Sequence, residues 1–430
     1  MPESQFDHLI IGNSVAAVGA IEAIRSVDDT GSIGVVSSEA EYAYSRPLIT
    51  YLMAGKVAED NIGYRPPDFY KKTGVDLILG REARSVDDTK STVELDDGTR
   101  IAYRGLLLAA GGAPIPLRVD GADRPGVFFM NTIADARKAK GWLAHCDQSV
   151  VVGAGLTGLK TAEALAQLGQ TVTVVDLADR VLPAAVDAVV AEMVQKRMAA
   201  NGVEVLTEVG VTKIEGGEDT NDVQAVRLST GEAIACDTVF VTIGVRPRIE
   251  IVQGSSIKTG TGILVDKHMR TNVDNVYAAG DIAEAYDPLM DQKRVVPILT
   301  NAYIGGRVAA LNMVGKDAEF NIGMSVNSVS FFGLTVMSAG FAAQEEDDEF
   351  RVISRVDGEN YRKFVLRGDR LMGMILTGNV ERAGLLTGIM RAGISVEGLE
   401  DALLSGDLGL INLPREVIEE RIHSSGRNWL

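Results

Sequence analysis

The sequence predicts an α/β protein, with two wound parallel-sheet units followed by an α+β module. Three observations predict it. Two stretches, one opening at Asp7 and one at Ser149, run from an apolar strand through a small-residue turn into a helix, and near Val326 the pattern changes to alternating strands. A chain of 430 residues leaves room for roughly two to four domains. Its hydrophobic fraction of 46% and charged fraction of 23% are those of a globular protein.

The stretch around Ser149 is the clearer of the two. An apolar strand from Ser149 reaches Gly153-x-Gly155-x-x-Gly158, a helix follows from Leu159 to Gly169, and a second strand, Thr171 to Val175, is closed by Asp176. Gly153 permits a sharp turn, Gly155 lets the backbone approach phosphates, and Gly158 lets helix and strand pack closely. The helix N-terminus then faces an anion. Asp176 lies near the spacing of roughly 20 residues at which a carboxylate accepts the ribose hydroxyls of a dinucleotide. A 2′-phosphate would meet that carboxylate, so NAD is favoured over NADP. A glycine-rich turn without a ligand is the competing reading.

The stretch from Asp7 repeats the device as Gly12-x-Ser14-x-x-Ala17, with two small residues replacing glycines. A helix from Ala20 to Arg25 and a strand from Ser32 to Val36 follow. Glu39 is the ribose-binding candidate, with Ser38 as competitor and a surface glutamate as the alternative. Two Rossmann-like folds suggest two dinucleotides, FAD and NAD, because a flavin accepts a hydride and needs a donor.

Between them, the irregular segments Ala43 to Lys56 and Tyr64 to Tyr70 carry Pro47 and two arginines, Arg46 and Arg65, whose guanidinium forks suit phosphate or a flavin edge. Short strands are expected at Asp76 to Leu79 and Ser91 to Glu94. A buried strand from Gly105 ends at Ala110 and Gly111, and the stretch to Pro125 reads as a crossover between domains. After the central motif come a helix, Ala185 to Asn201, and strands at Val203 to Leu206, Val223 to Leu228 and Thr238 to Ile243. Gly244-Val-Arg246-Pro247 reads as a turn. A strand from Thr271 delivers Gly280-Asp281 to a turn where a ligand's ribityl and phosphate groups can pass. Pro297 and Thr300 open a helix to Ala310, whose first N–H groups can face a developing anion. The last module reads as strands at Ser328 to Ala339, Phe350 to Val356, Tyr361 to Arg367 and Leu371 to Leu376. The acidic run Glu345 to Glu349 is a solvated turn within it, and helices at Val380 to Ala392 and Val396 to Leu403 close it.

The net charge of −17 argues against nucleic acid or anionic membrane as a partner. No apolar run reaches the roughly 18–20 residues a membrane helix needs, and Met1 to His8 is too short and acidic for a signal peptide, so a cytoplasmic location is expected. There are 2 cysteines, Cys146 and Cys236, and no CxxC. Metal and redox-disulfide sites are therefore not expected, an iron–sulfur cluster would need about four thiolates, and both thiols read as buried and structural.

Taken together, Gly12-x-Ser14-x-x-Ala17, Ala109-Ala110-Gly111, Gly153-x-Gly155-x-x-Gly158, Gly244-x-Arg246-Pro247 and Ala279-Gly280-Asp281 resemble the FAD-dependent pyridine-nucleotide oxidoreductases. The resemblance implies an FAD domain in two parts, residues 1–117 and 250–322, an NAD(P) domain at 118–249, and a C-terminal interface domain at 323–430. It places Gly12, Ser14, Ala17, Glu39, Arg46, Pro47, Ala110, Gly111, Gly280, Asp281, Pro297 and Thr300 at FAD, and Gly153, Gly155, Gly158, Asp176 and Gly244 at NAD. The redox cysteines of disulfide reductases and peroxidases are missing: Tyr44-Ser45-Arg46-Pro47 stands where a single one would be, and serine cannot form a sulfenate or mixed disulfide. The remaining resemblance is to the NADH:rubredoxin reductase and nitrite-reductase branch. More narrowly, it is to FAD subunits of anaerobic complexes such as tungsten aldehyde oxidoreductase and phenylglyoxylate dehydrogenase.

Lys160 replaces a glutamate that in many relatives lies near the flavin. It could act on the reduced flavin or be an ordinary surface lysine; Thr300 is the other candidate catalytic residue. The implied activity is exchange of a hydride between NAD(H) and FAD and of single electrons with an iron–sulfur protein, in an oligomer or hetero-complex. A stand-alone NADH oxidase and an FAD-bound assembly subunit are the alternatives.

Overall fold

The computed structural model describes residues 4–217, 221–321 and 323–412. It divides into two compact units, Met1–Pro114 with Val245–Met324, and Ile115–Gly244 with Ser325–Leu430. The seams therefore fall at different residues from the expected 117, 249 and 322. Gly112–Pro114 and Val245–Pro247 pair as antiparallel strands, Val245 opposite Pro114 and Pro247 opposite Gly112, which holds both segments in the first unit. Val245–Pro247 is thus a short strand where a turn was expected. The expected C-terminal domain runs on to residue 430, and its residues 413–430 lie outside the described ones.

In the first unit, parallel strands stand in the order Val75–Leu79, Ile33–Ser37, Ser4–Ile11 and Arg100–Leu108. The far edge of the last strand is shared. Its start pairs antiparallel with Thr92–Leu95, and Leu106 to Leu108 pair in parallel with Val276–Ala278. Leu9, Ile10, Leu106, Leu107 and Leu108 are fully buried, as expected for parallel strands covered on both faces. The first helix is longer than expected, Val15–Arg25, and packs on Leu299–Met313 through glycines. A methyl group on Gly19 would lie 2.3 Å from the Tyr303 carbonyl oxygen, and one on Gly306 would lie 2.0 Å from that of Ala16. Only residues without a Cβ allow the two backbones this close.

In the second unit, five parallel strands run in the order Val203–Leu206, Thr171–Val175, Gln148–Val152, Thr238–Val241 and Val127–Phe129. A separate antiparallel sheet holds Val211–Gly216, Val223–Leu228 and Ala233–Ala235. The C-terminal sheet runs Val326–Phe331, Leu334–Gly340, Arg370–Thr377, Asn360–Arg367 and Arg351–Asp357, with helices Ala383–Ala392 and Glu400–Ser405 after it. Ser328 to Ala339, expected as one strand, is a hairpin. It turns at Phe332, φ +44°, and Gly333, φ +86°. Phenylalanine is not a turn residue, and the conformation is held from outside: the Phe332 N–H donates to Glu163 at 2.9 Å and its carbonyl accepts from Arg197 at 2.8 Å.

Cys236 is buried as expected, but Cys146 is only half-buried. No helix among the described residues is long and apolar enough to cross a membrane.

Candidate functional site

Each unit carries one strand–turn–helix cradle, and the two are built alike. Gly12 and Gly153 both have φ +109°, a conformation that L side chains rarely adopt. Each donates its N–H at 2.8 Å to a carbonyl near the end of the neighbouring strand, Gly12 to that of Val36 and Gly153 to that of Val175. Each is pressed against another strand end: a methyl group would lie 2.2 Å from the Ala109 carbonyl oxygen at Gly12 and 2.7 Å from that of Thr242 at Gly153. The helices that follow begin at Ser14 and Gly155. Neither N-terminus has a side-chain cap or an acid in its first turn, so the first N–H groups and the helix dipole face outward, toward an anion.

In the second unit, Gly158 is required by packing, because a methyl group there would sit 1.8 Å from the Gly153 carbonyl oxygen. Gly155 is different. Its φ of −77° suits any residue, and a methyl group would meet nothing within 4 Å. The open space beside an uncapped helix start is the feature that fits a pyrophosphate. Asp176 was expected to receive ribose hydroxyls; in the structure its oxygens accept the N–H groups of Ala154 and Ala178. It thereby ties the turn to the second strand, and each oxygen keeps acceptor capacity for a hydroxyl. Gly244, φ +110°, follows the strand that ends beside Gly153.

In the first unit, Gly280, φ +76°, lies where a methyl group would be 3.5 Å from Ala302 and 3.6 Å from Ala16. The start of the helix Val15–Arg25, the Gly280 turn and the start of the helix Leu299–Met313 therefore converge. Burial raises the Asp281 carboxyl above the usual carboxylate range, and the Arg46 guanidinium partly offsets this. Arg46 also pairs with Glu39, which accepts the Tyr44 hydroxyl on its other oxygen. Glu39, Arg46 and Asp281 thus form one charged group beside the first cradle. Ala110 follows the residue pressed against Gly12, and the Gly111 carbonyl accepts from the Arg248 N–H at 3.1 Å. Pro47 begins a short helical turn with Arg46. Thr300 is exposed at the second position of its helix and Pro297 is exposed just before it. These small residues, uncapped helix starts and the half-buried acid–guanidinium group suit a long dinucleotide.

Lys160 is not an ordinary surface lysine. Its ammonium pairs with Glu163 and donates to the Ser330 carbonyl at 2.9 Å, and the two side chains are 15% and 9% exposed. Sequence reasoning did not assign Asn13, Glu22 or Tyr70. Glu22 binds Arg65 at 2.7 Å and the Tyr303 hydroxyl at 2.6 Å, and Tyr70 reaches Asn13 in the glycine turn at 2.7 Å. Only the aromatic and basic character of residues 64–70 hinted at these contacts.

Comparison with known proteins agrees with this geometry. Residues 6–306 match the family described as pyridine nucleotide-disulphide oxidoreductase, and residues 326–394 match the rubredoxin NAD⁺ reductase C-terminal domain. The chain is 33% identical over 366 residues to the NADH-dependent phenylglyoxylate dehydrogenase subunit epsilon of Aromatoleum evansii, covering 84% of this chain and 86% of that one. It is 30% identical over 308 residues to a rubredoxin-NAD(+) reductase of Pseudomonas putida, covering 71% and 80%. Among solved structures, the covalent putidaredoxin reductase–putidaredoxin complex contains a chain of the same fold, with TM-score 0.85, 22% identity and 99% coverage of both chains.

Proposed function

The chain belongs to the pyridine nucleotide-disulphide oxidoreductase family and is an NAD(H)-dependent flavoprotein reductase of that family; from this premise we propose that it exchanges a hydride between NAD(H) and FAD and passes electrons singly to or from an iron–sulfur protein. The observation that carries the reading is the duplicated turn, Gly12 and Gly153 with the same φ, each before a helix without a side-chain cap. FAD is assigned to the first cradle and NAD to the second. Bound FAD would supply acceptance of a hydride and release of single electrons.

The chain's own groups bind and orient. With the cofactors bound, the first N–H groups of the helices Val15–Arg25 and Leu156–Gln167 would hold phosphates and those of Leu299–Met313 would stabilise a developing anion. Gly280 and Asp281 would hold the ribityl side, Arg46 would set the charge beside them, and Glu39 and Asp176 would accept ribose hydroxyls. Cys236 is 3% exposed and burial holds both thiols in the protonated form, which supports transfer without a protein thiol. The engagement of Lys160 by Glu163 and Ser330 favours a positioning role for it. The finer reading, an FAD subunit of a multi-subunit aldehyde or 2-oxoacid oxidoreductase, draws support from the 33% identity to the phenylglyoxylate dehydrogenase subunit.

The test is anaerobic titration of the FAD-loaded protein with NADH. Bleaching of the flavin band, followed by rapid reduction of an added ferredoxin or rubredoxin and slow reaction with oxygen, is the expected result. Equally rapid turnover with oxygen alone would identify an oxidase instead, and no bleaching would leave a cofactor-stabilised assembly subunit. Native purification then identifies the complex.

A further inference from the structure

The segment Tyr64 to Tyr70 has no part in the scheme above, yet its last residue reaches into the first cradle. Tyr70 is 5% exposed. Its hydroxyl donates to Asn13 Oδ1 at 2.7 Å and accepts the Ala43 N–H at 3.1 Å. Asn13 is the residue between Gly12 and Ser14, and its Nδ2 donates to the Glu41 carbonyl at 3.3 Å. One phenol therefore joins the phosphate-facing turn to the loop 39–46 that carries Glu39 and Arg46. Phe69 and Tyr42 hold the ring in place, with centroids at 5.1 and 5.2 Å. The loop is also fixed from its other side, where Ser45 N–H donates to Ile62 at 2.9 Å and Tyr64 N–H to Ala43 at 2.8 Å. The Tyr70 hydroxyl thus contacts both the turn and the loop, beside the direct bond from Asn13 to Glu41.

We propose that Tyr70, acting through Asn13 and Ala43, is a positioning residue that presets the FAD cradle by holding the loop 39–46 against the glycine turn. This rests on the assignment of FAD to the first unit. Without the hydroxyl, Asn13 Oδ1 and the Ala43 N–H lose their partner, the loop is held to the turn only by the longer bond from Asn13 to Glu41, and FAD must restore the arrangement on binding.

The test is the FAD dissociation constant of the full chain, measured by flavin fluorescence on protein stripped of cofactor and refilled, alongside the melting temperature of the stripped protein. Tyr70→Phe keeps the ring and removes only the hydroxyl. The expected result is FAD binding weakened about tenfold to a hundredfold, with NADH binding, whose turn lies in the other unit, unchanged. Asn13→Ala, which also removes the bond to Glu41, should lose at least as much, and the double variant should lose less than the two single losses added, because both remove the bond between Tyr70 and Asn13. Tyr103→Phe is the control, since its buried hydroxyl in the same unit makes no hydrogen bond among the described residues, and it should leave FAD binding as it was. If Tyr70→Phe lowers the melting temperature of the stripped protein but leaves FAD affinity unchanged, the residue is structural and the proposal fails. If Tyr70→Phe cannot be purified folded, Asn13→Ala decides by the same two measurements. If the unaltered chain binds no FAD, the assignment of the first cradle falls, and the proposal with it.

Discussion

The ammonium of Lys160 donates to the carbonyl of Ser330 at 2.9 Å, across 170 positions of sequence. The helix that starts at the second glycine turn is thereby tied to the first strand of the C-terminal sheet. Glu163, one turn on, completes the tie by pairing with Lys160 and accepting the Phe332 N–H. Lys160→Met would leave the Glu163 carboxylate buried without its cation, a loss of about 3–5 kcal/mol for a buried pair broken on one side. Urea melts should show that drop, and adding Glu163→Gln should recover part of it. An unchanged midpoint in Lys160→Met would mean the pair contributes nothing.

Two glycines three positions apart at the same helix start, Gly155 at its N-cap and Gly158 in its first turn, should respond in opposite ways. Gly158→Ala forces a methyl group against the Gly153 carbonyl and should cost about 1–3 kcal/mol or more through overpacking. Gly155→Ala meets open space and should melt as the parent does, while NADH binding weakens by at least tenfold, about 1.4 kcal/mol. Calorimetric melts and NADH titrations on both variants check the pair. Parental NADH affinity in Gly155→Ala would mean no phosphate passes there.

Asp176 sets coenzyme choice. Asp176→Ser removes a charged acceptor, and a hydrogen bond to a charged group contributes about 1.5–3 kcal/mol. The NADH preference over NADPH should narrow by roughly ten- to hundredfold, measured as the ratio of kcat/KM values with an artificial acceptor. An unchanged ratio would remove Asp176 from the ribose site.

Cys236 gives the fold a pH dependence at the alkaline end. Burial pushes its thiol from 9.0 to about 12. Below about pH 9 folded and unfolded states both keep the proton and the group contributes nothing. From there to about 12 only the unfolded state releases it, so folding stability falls by about 1.4 kcal/mol per pH unit. Cys236→Ala should remove that slope from denaturant melts. In the native protein, iodoacetamide should modify half-buried Cys146 well before Cys236.

Both glycine turns, the parallel strands and the helices behind them were legible in the sequence because each rests on local requirements: a positive φ at Gly12 and Gly153, unbroken apolar runs in Leu106 to Leu108, small residues where a helix meets a strand. The positive φ at Gly280 is another such local requirement, whereas the bonds from Asp176 to Ala154 and Ala178 appear only in the fold. The hairpin at Phe332 was not legible, because no local preference of phenylalanine makes that turn; Glu163 and Arg197, each more than a hundred positions earlier, hold it. Nor was the strand at Val245–Pro247, whose partner is Gly112–Pro114. Lys160, Tyr70 and Asn13 carry no signal in their neighbours. A side chain's role as acceptor, staple or ion-pair partner depends on which distant groups the folded backbone brings within about 3 to 3.5 Å of it, and a hydrogen bond weakens steeply beyond that range. Backbone conformation and apolar periodicity are properties of a stretch, and so could be read from it; pairing is a property of two stretches, and only folding joins them.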